Sequence, residues 1–220
     1  MARSSLNTPD LPNLHGIAVI GGMTIPPAGA EMARLAGQAI IAAGRILVTG
    51  GRRGVGEAAA AGAAACCEDW GIDPLESVFS LIPPDETADF ATGRALLAGG
   101  NKIERRLLLV QCTTGAIVIG GGSGTADEVL ISVLQAIMNG YSLIPASGTG
   151  GVADRIYRKI GPFDEAILND ATPSAEKARV GRVGIATSTR YPPTKNGFLA
   201  EMCETLRRRE CTGFGTPTSE

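Results

Sequence analysis

The residues from Gly120 to Glu128 (GGGSGTADE) follow the apolar run at 116–119 (AIVI). They lead into a helical periodicity with apolar residues at Ala126, Val129, Leu130, Val133, Leu134 and Ile137. A strand, a glycine turn and a helix in that order suit an anion. Glycine lets the backbone come close to a ligand, and the unpaired first-turn amides lie at the positive end of the helix dipole. The amides of Gly121, Gly122, Gly124 and Thr125 are therefore candidates for a phosphate cradle. A plainer account competes: Thr125 to Glu128 also fits the S/T-x-x-E capping box, in which the glutamate satisfies a helix-start amide.

A second glycine turn, residues 49–57 (TGGRRGVGE), brings Gly50, Gly51 and Gly54 together with Arg52 and Arg53. Arginine can grip phosphate with two parallel hydrogen bonds. The alternative is a tight turn with two solvated arginines. Gly21 and Gly22 end a third apolar run and belong to the same candidate binding rim.

The central turn resembles the PGGxGTxxE signature of the Lonely Guy (LOG) family, phosphoribohydrolases that release cytokinin bases from nucleotides. Gly120 stands where that signature has proline. The turn GGRRGVGE is similar to the GGxxG turn that accompanies the signature, both in LOG proteins and in wider Rossmann relatives such as molybdenum-cofactor carriers and sensor-type LOG-like and DprA-like domains. In residues 101–106 (NKIERR), Arg105 lies as far from the glycine turn as the catalytic arginine of the family's RK pair lies from its PGG, and Arg106 takes the place of the lysine. The resemblance thus implies Arg105 and Glu128 as catalytic residues, with Arg106 on the substrate. An exposed charge cluster on an amphipathic helix is the alternative for NKIERR.

Other chemistries find no support. His15 is the only histidine and precedes the first strand, away from every glycine turn. No GxSxG elbow, HExxH helix or GxxxxGK[ST] loop is present, and GGMTIPP lacks the GxGxxG of dinucleotide binding. Some relatives are labelled lysine decarboxylases, yet nothing here identifies a pyridoxal-phosphate lysine. Neither a cofactor nor a metal is expected. The five cysteines form no CxxC pair and read as reduced and mostly buried.

The elements that must position these residues alternate. Apolar runs at 16–20, 45–48, 77–82, 116–119 and 142–146 read as strands. Helical stripes read at 32–43, 55–70, 101–112 and from 126 onward, with 83–100 as a long irregular connection and a candidate lid. Residues 180–187 read as a strand and 194–209 as a helix. The expected fold is α/β, a doubly wound parallel sheet with helices on both faces. Its ligand would sit outside the carboxyl ends of the strands, where glycine turns converge. Residues 1–15 read as a flexible lead, 16–210 as one nucleotide-binding domain and 211–220 as a disordered tail.

The chain has 220 residues, 44% hydrophobic and 19% charged, with a net charge of -2. That suffices for one sizeable core, and the balance points to a small-molecule partner rather than nucleic acid or a membrane surface. No stretch approaches the roughly 20 apolar residues of a membrane span, so the expected location is cytoplasmic. A homodimer is expected because the helix at 129–138 carries Ile131 and Met138 off its main stripe, and LOG relatives pair through neighbouring helices. The resemblance implies hydrolysis of a nucleoside 5′-monophosphate to base and ribose 5-phosphate. The rival is a module that binds such a ligand unchanged, since Leu143 to Gly151 (LIPASGTGG) looks more like the IPxGxTGG of sensor-type relatives than the KPV of LOG enzymes.

Overall fold

The computed structural model describes residues 14–160. The expected strand at 180–187, the helix at 194–209, the tail, Cys203, Cys211 and most of the lead lie outside the described residues. The described elements are β1 (Gly16–Gly21), α1 (Pro27–Ala42), β2 (Leu47–Thr49), α2 (Val55–Trp70), α3 (Pro74–Ser77), β3 (Val78–Ile82), β4 (Arg94–Leu97), α4 (Lys102–Gln111), β5 (Thr113–Ile119), α5 (Ser123–Asn139), β6 (Ser142–Ala146) and α6 (Gly151–Ile160).

The 6 strands form one sheet in the order β4-β3-β2-β1-β5-β6, and every neighbouring pair is parallel. The chain starts at the middle, walks out through β2 and β3 to the β4 edge, then returns to pair β5 on the other side of β1. The order therefore reverses between β1 and β5, which is where doubly wound sheets open a crevice for a ligand. The period-2 alternation of β1 divides it between two cores: Ile17 and Val19 pack with α1 and α2, Ala18 and Ile20 with α4, α5 and α6.

Small residues let α1 and α2 pack directly against each other. A Cβ on Gly37 would lie 1.9 Å from the Ala59 carbonyl oxygen, and one on Gly62 would lie 2.0 Å from that of Arg34. The α1 and α2 backbones touch there, and any side chain would force them apart.

Two expectations are corrected. The 83–100 connection is not wholly irregular, because residues 94–97 form the edge strand β4, paired with β3 through Phe79↔Arg94 to Ile82↔Leu97. Its largely exposed sequence RALL carries no alternation that would have marked it.

The second correction concerns α5. Of its expected apolar stripe only Val129 is buried; Leu130, Leu134 and Ile137 are 63%, 53% and 63% exposed, and Met138 is 69% exposed. The buried face is instead Thr125, Glu128, Val129, Ser132 and Ala136. Its polar end is fixed by a partner on α4, and its small residues let the helix lie close to the sheet.

Candidate functional site

At the end of β5 the chain turns at Gly120 (φ 57°) and Gly121 (φ 97°), both in the left-handed region. Gly122 then caps α5 without any side-chain hydrogen bond. With no side-chain oxygen at the cap, the first-turn amides are left to a ligand. The turn is braced from behind by the β6–α6 connection and the first turn of α6. Gly120 N–H donates to Thr149 Oγ1 (2.9 Å), Val152 N–H to the Gly121 carbonyl (3.0 Å) and Ala153 N–H to the Gly120 carbonyl (2.9 Å).

The capping box at 125–128 is not formed. The helix begins at Ser123, so Thr125 is already inside it, and the Glu128 carboxylate turns to α4 instead. Helix α4 is capped by a side chain: Asn101 Oδ1 accepts from the amides of Ile103 (2.9 Å) and Glu104 (3.0 Å). The Glu104 carboxylate reaches back to Gly100 N–H at 2.7 Å. That start sets the direction of Arg105, one turn in. Its guanidinium passes over Gly50, where a Cβ would lie 2.7 Å from Nη1, and Nη1 donates to Glu128 Oε1 at 2.8 Å.

Both side chains of this pair are about nine-tenths buried, at 10% and 9% exposure. Burial pushes the Glu128 carboxyl above the ordinary carboxylate range, against the opposing pull of the Arg105 guanidinium. Beside the pair, Arg106 Nη1 donates to Asp127 Oδ2 at 2.7 Å, and its Nη2 packs against Gly124. Among the described residues, the buried Arg106 Nε has no hydrogen-bond partner. An orphaned donor next to an uncapped helix start fits an anionic ligand.

These groups line one cavity of about 710 Å³ at the carboxyl edge of the sheet. Its wall brings together Gly21, Gly22, Gly50, Arg52, Arg105, Arg106, Gly121, Gly122, Gly124, Thr125 and Glu128 from the sequence-predicted set. Gly51 and Gly54 are not on that wall. Gly51 is buried under Ser80, Ile82 and Ala88, and Gly54 is the cap of α2, pressed against the carbonyls of Gly22 and Met23. Both shape the turn that carries Gly50 and Arg52. Arg52 itself is engaged, with Nη1 3.1 Å from Glu86 Oε2 and 3.6 Å from Asp89 Oδ1.

The model of the SLOG cluster4 family matches residues 15–138, more than half of the 220-residue chain and the span from β1 through all but the last residue of α5. The chain belongs to the SLOG cluster4 family. No curated protein matches the sequence. Among solved structures it is similar to the X-ray structure of TM1055, a structural genomics target, at 26% identity and TM-score 0.52, over 65% of this chain and 80% of that one. The molybdenum cofactor binding protein of Rippkaea orientalis is 27% identical at TM-score 0.47, over 59% of this chain and 72% of that one. DNA processing protein A of Helicobacter pylori, described for its single-stranded DNA binding mode, is 16% identical at TM-score 0.47, over 71% of this chain and 81% of that one.

In this SLOG chain the structure adds wall residues that the glycine motifs did not reveal, chiefly Glu86, Lys102 and Thr149. Lys102 Nζ lies 2.8 Å from Glu86 Oε1. The acid-rich run PDETAD in the 83–93 connection was the available signal for Glu86. His15 precedes β1, at the opposite end of that strand from the cavity. No helix among the described residues is long and apolar enough to cross a membrane.

Proposed function

We propose that this chain binds a nucleoside 5′-monophosphate across the turns after β1, β2 and β5, and hydrolyses its N-glycosidic bond to free base and ribose 5-phosphate. One observation carries the reading: a buried arginine-glutamate pair, 2.8 Å apart, stands one turn inside a helix whose N-terminus has no side-chain cap. The phosphate takes the amides of Gly121, Gly122, Gly124 and Thr125, with the unpartnered Nε of Arg106 beside it. This anchors the ribose next to Glu128.

The transition state of such a reaction resembles an oxocarbenium ion, which a carboxylate stabilises while it orients water. Arg105 holds Oε1 of Glu128, so the attacking water is assigned to Oε2. Water oxygen bonds to C1′ as the C1′–N bond breaks, its proton passes to Glu128, and the bonding pair leaves with the base, which takes up a proton from solvent. A carboxyl whose pKa is raised by burial is a better base at neutral pH than an exposed one. Arg105 orients Glu128 and contributes positive charge toward the phosphate.

A second reading, a module that binds the same ligand without turnover, draws on Gly120. Proline cannot adopt its φ of 57° or donate its N–H to Thr149, so the turn departs from the LOG signature in geometry as well as in residue type. We further propose a homodimer through the exposed apolar face of α5 (Leu130, Leu134, Ile137, Met138), to which Ile103 and Leu107 of α4 add. Mass spectrometry of small molecules that co-purify, followed by incubation with the four common nucleoside monophosphates, tests the main reading. Ribose 5-phosphate appearing with free base supports hydrolysis, a bound nucleotide recovered intact supports the module, and neither would end both.

A further inference from the structure

The cavity wall carries a second carboxylate besides Glu128, namely Glu86. The chain segment bearing it leaves the sheet after β3, whereas the phosphate turn leaves after β5. With β2 and β1 between them, three strand spacings of about 4.8 Å separate the two exits, roughly 14 Å in all. A bound phosphate alone does not span that distance; an extended ligand does.

Glu86 is held in place from two sides. Oε2 lies 3.1 Å from Arg52 Nη1 and Oε1 lies 2.8 Å from Lys102 Nζ. The connection that carries it is fastened to the β2–α2 turn, since Asp89 N–H donates to the Gly51 carbonyl (2.8 Å) and Arg53 N–H donates to Asp89 Oδ2 (2.9 Å). The hydrogen bond from Lys102, joined by the charges of Arg52, Lys102 and Arg105, holds the Glu86 carboxyl below the usual range. It is therefore ionised at neutral pH and accepts hydrogen bonds only. An ionised carboxylate has about four lone-pair sites, so two cations leave each oxygen with capacity to spare. Such a group discriminates: it repels an anion and welcomes a neutral donor.

We propose that Glu86 is a specificity-determining residue, accepting hydrogen bonds from a neutral donor at the end of the nucleotide remote from its phosphate, either a ribose hydroxyl or an exocyclic amine. The inference rests on the nucleotide reading above and deepens it. Arg52, which the sequence suggested as a phosphate grip, acts here by positioning Glu86.

Isothermal titration with inorganic phosphate, AMP, 2′-deoxy-AMP and IMP separates the possibilities. Each titration is run on the wild type and repeated in Glu128→Gln, so that turnover cannot mimic affinity. The wild type should bind AMP about tenfold more tightly than the analogue that lacks the donor, the scale of one hydrogen bond to a charged group. A gap against 2′-deoxy-AMP assigns the hydroxyl, and a gap against IMP assigns the amine. Glu86→Gln should close the gap by weakening AMP while leaving inorganic phosphate unchanged. Asp89→Asn, which loosens the connection but keeps the Glu86 carboxylate, should preserve most of the gap. The inference is overturned if the gap survives Glu86→Gln, or if Glu86→Gln tightens every phosphate-bearing ligand, as removal of an internal anionic plug would. Phosphate binding without any gap in the wild type sinks this inference and leaves the cradle standing, whereas no binding of phosphate or AMP removes both.

Discussion

Restoring the LOG-family proline at position 120 should destabilise the protein, although it moves the sequence toward the signature. Gly120 has φ 57°, while the proline ring fixes φ near about −65°. Its N–H donates to buried Thr149 Oγ1 at 2.9 Å, and its carbonyl accepts from Ala153 N–H at 2.9 Å. Gly120→Pro deletes the first bond and rotates the peptide that makes the second. A lost buried hydrogen bond costs about 1–3 kcal/mol, and backbone held in a disfavoured region about 1–3 kcal/mol more, so a loss of about 2–6 kcal/mol is expected.

Gly120→Ala separates the two contributions. It keeps the N–H, and the new Cβ would meet the Thr149 carbonyl oxygen at 3.2 Å, so it should cost only the left-handed strain of about 1–2 kcal/mol. Urea unfolding followed by far-ultraviolet circular dichroism gives both values, provided the m-value stays constant. A proline variant as stable as the wild type, or an alanine variant worse than the proline one, would refute the turn geometry.

Arg105→Ala leaves Glu128 buried without its partner and should cost about 3–5 kcal/mol of stability, with weaker AMP binding by titration. A variant of unchanged stability would mean that the pair is not buried as described. The two cavity carboxylates should respond oppositely to pH. Burial raises Glu128, so the stability of the wild type relative to Glu128→Gln is fullest below the unfolded glutamate value of about 4.3 and falls as pH rises through the folded value. Glu86 is lowered, so its advantage over Glu86→Gln is present above about 4.3 and is lost as pH falls through the folded value. Unfolding curves across a pH series check both signs. Leu134→Asp, on the exposed face of α5, should convert a particle of twice the 22.6 kDa chain mass to one of 22.6 kDa in sedimentation velocity, and a wild type that is already monomeric would remove the dimer.

The parallel sheet was legible because its predicted strands are short apolar runs, and the cavity was legible because four of the five run into glycine turns that form its rim. What escaped was set by partners distant in sequence. The stripe through Leu130, Leu134 and Ile137 looked like a core face because it is apolar, but the pairing of Glu128 with Arg105, 23 residues earlier, rotates α5 so that this stripe faces outward. No periodicity encodes that choice. Glu86 was similarly hidden in a connection without pattern, and only the Arg52 and Lys102 side chains show where it points. β4 eluded the reading because an exposed edge strand needs no hydrophobic alternation.

The central claim is that Glu128 performs chemistry and does not merely support the helix. Its most direct test is the initial rate of ribose 5-phosphate release from saturating nucleoside monophosphate, wild type against Glu128→Gln, with the affinity of each measured in parallel. Glutamine keeps the shape and can still accept from Arg105, so binding should hold while the rate falls by ~10² or more, the scale of losing an acid-base or electrostatic group. Equal rates in the two proteins would contradict the account, and a wild type that binds every monophosphate but releases no ribose 5-phosphate would leave the binding module in its place.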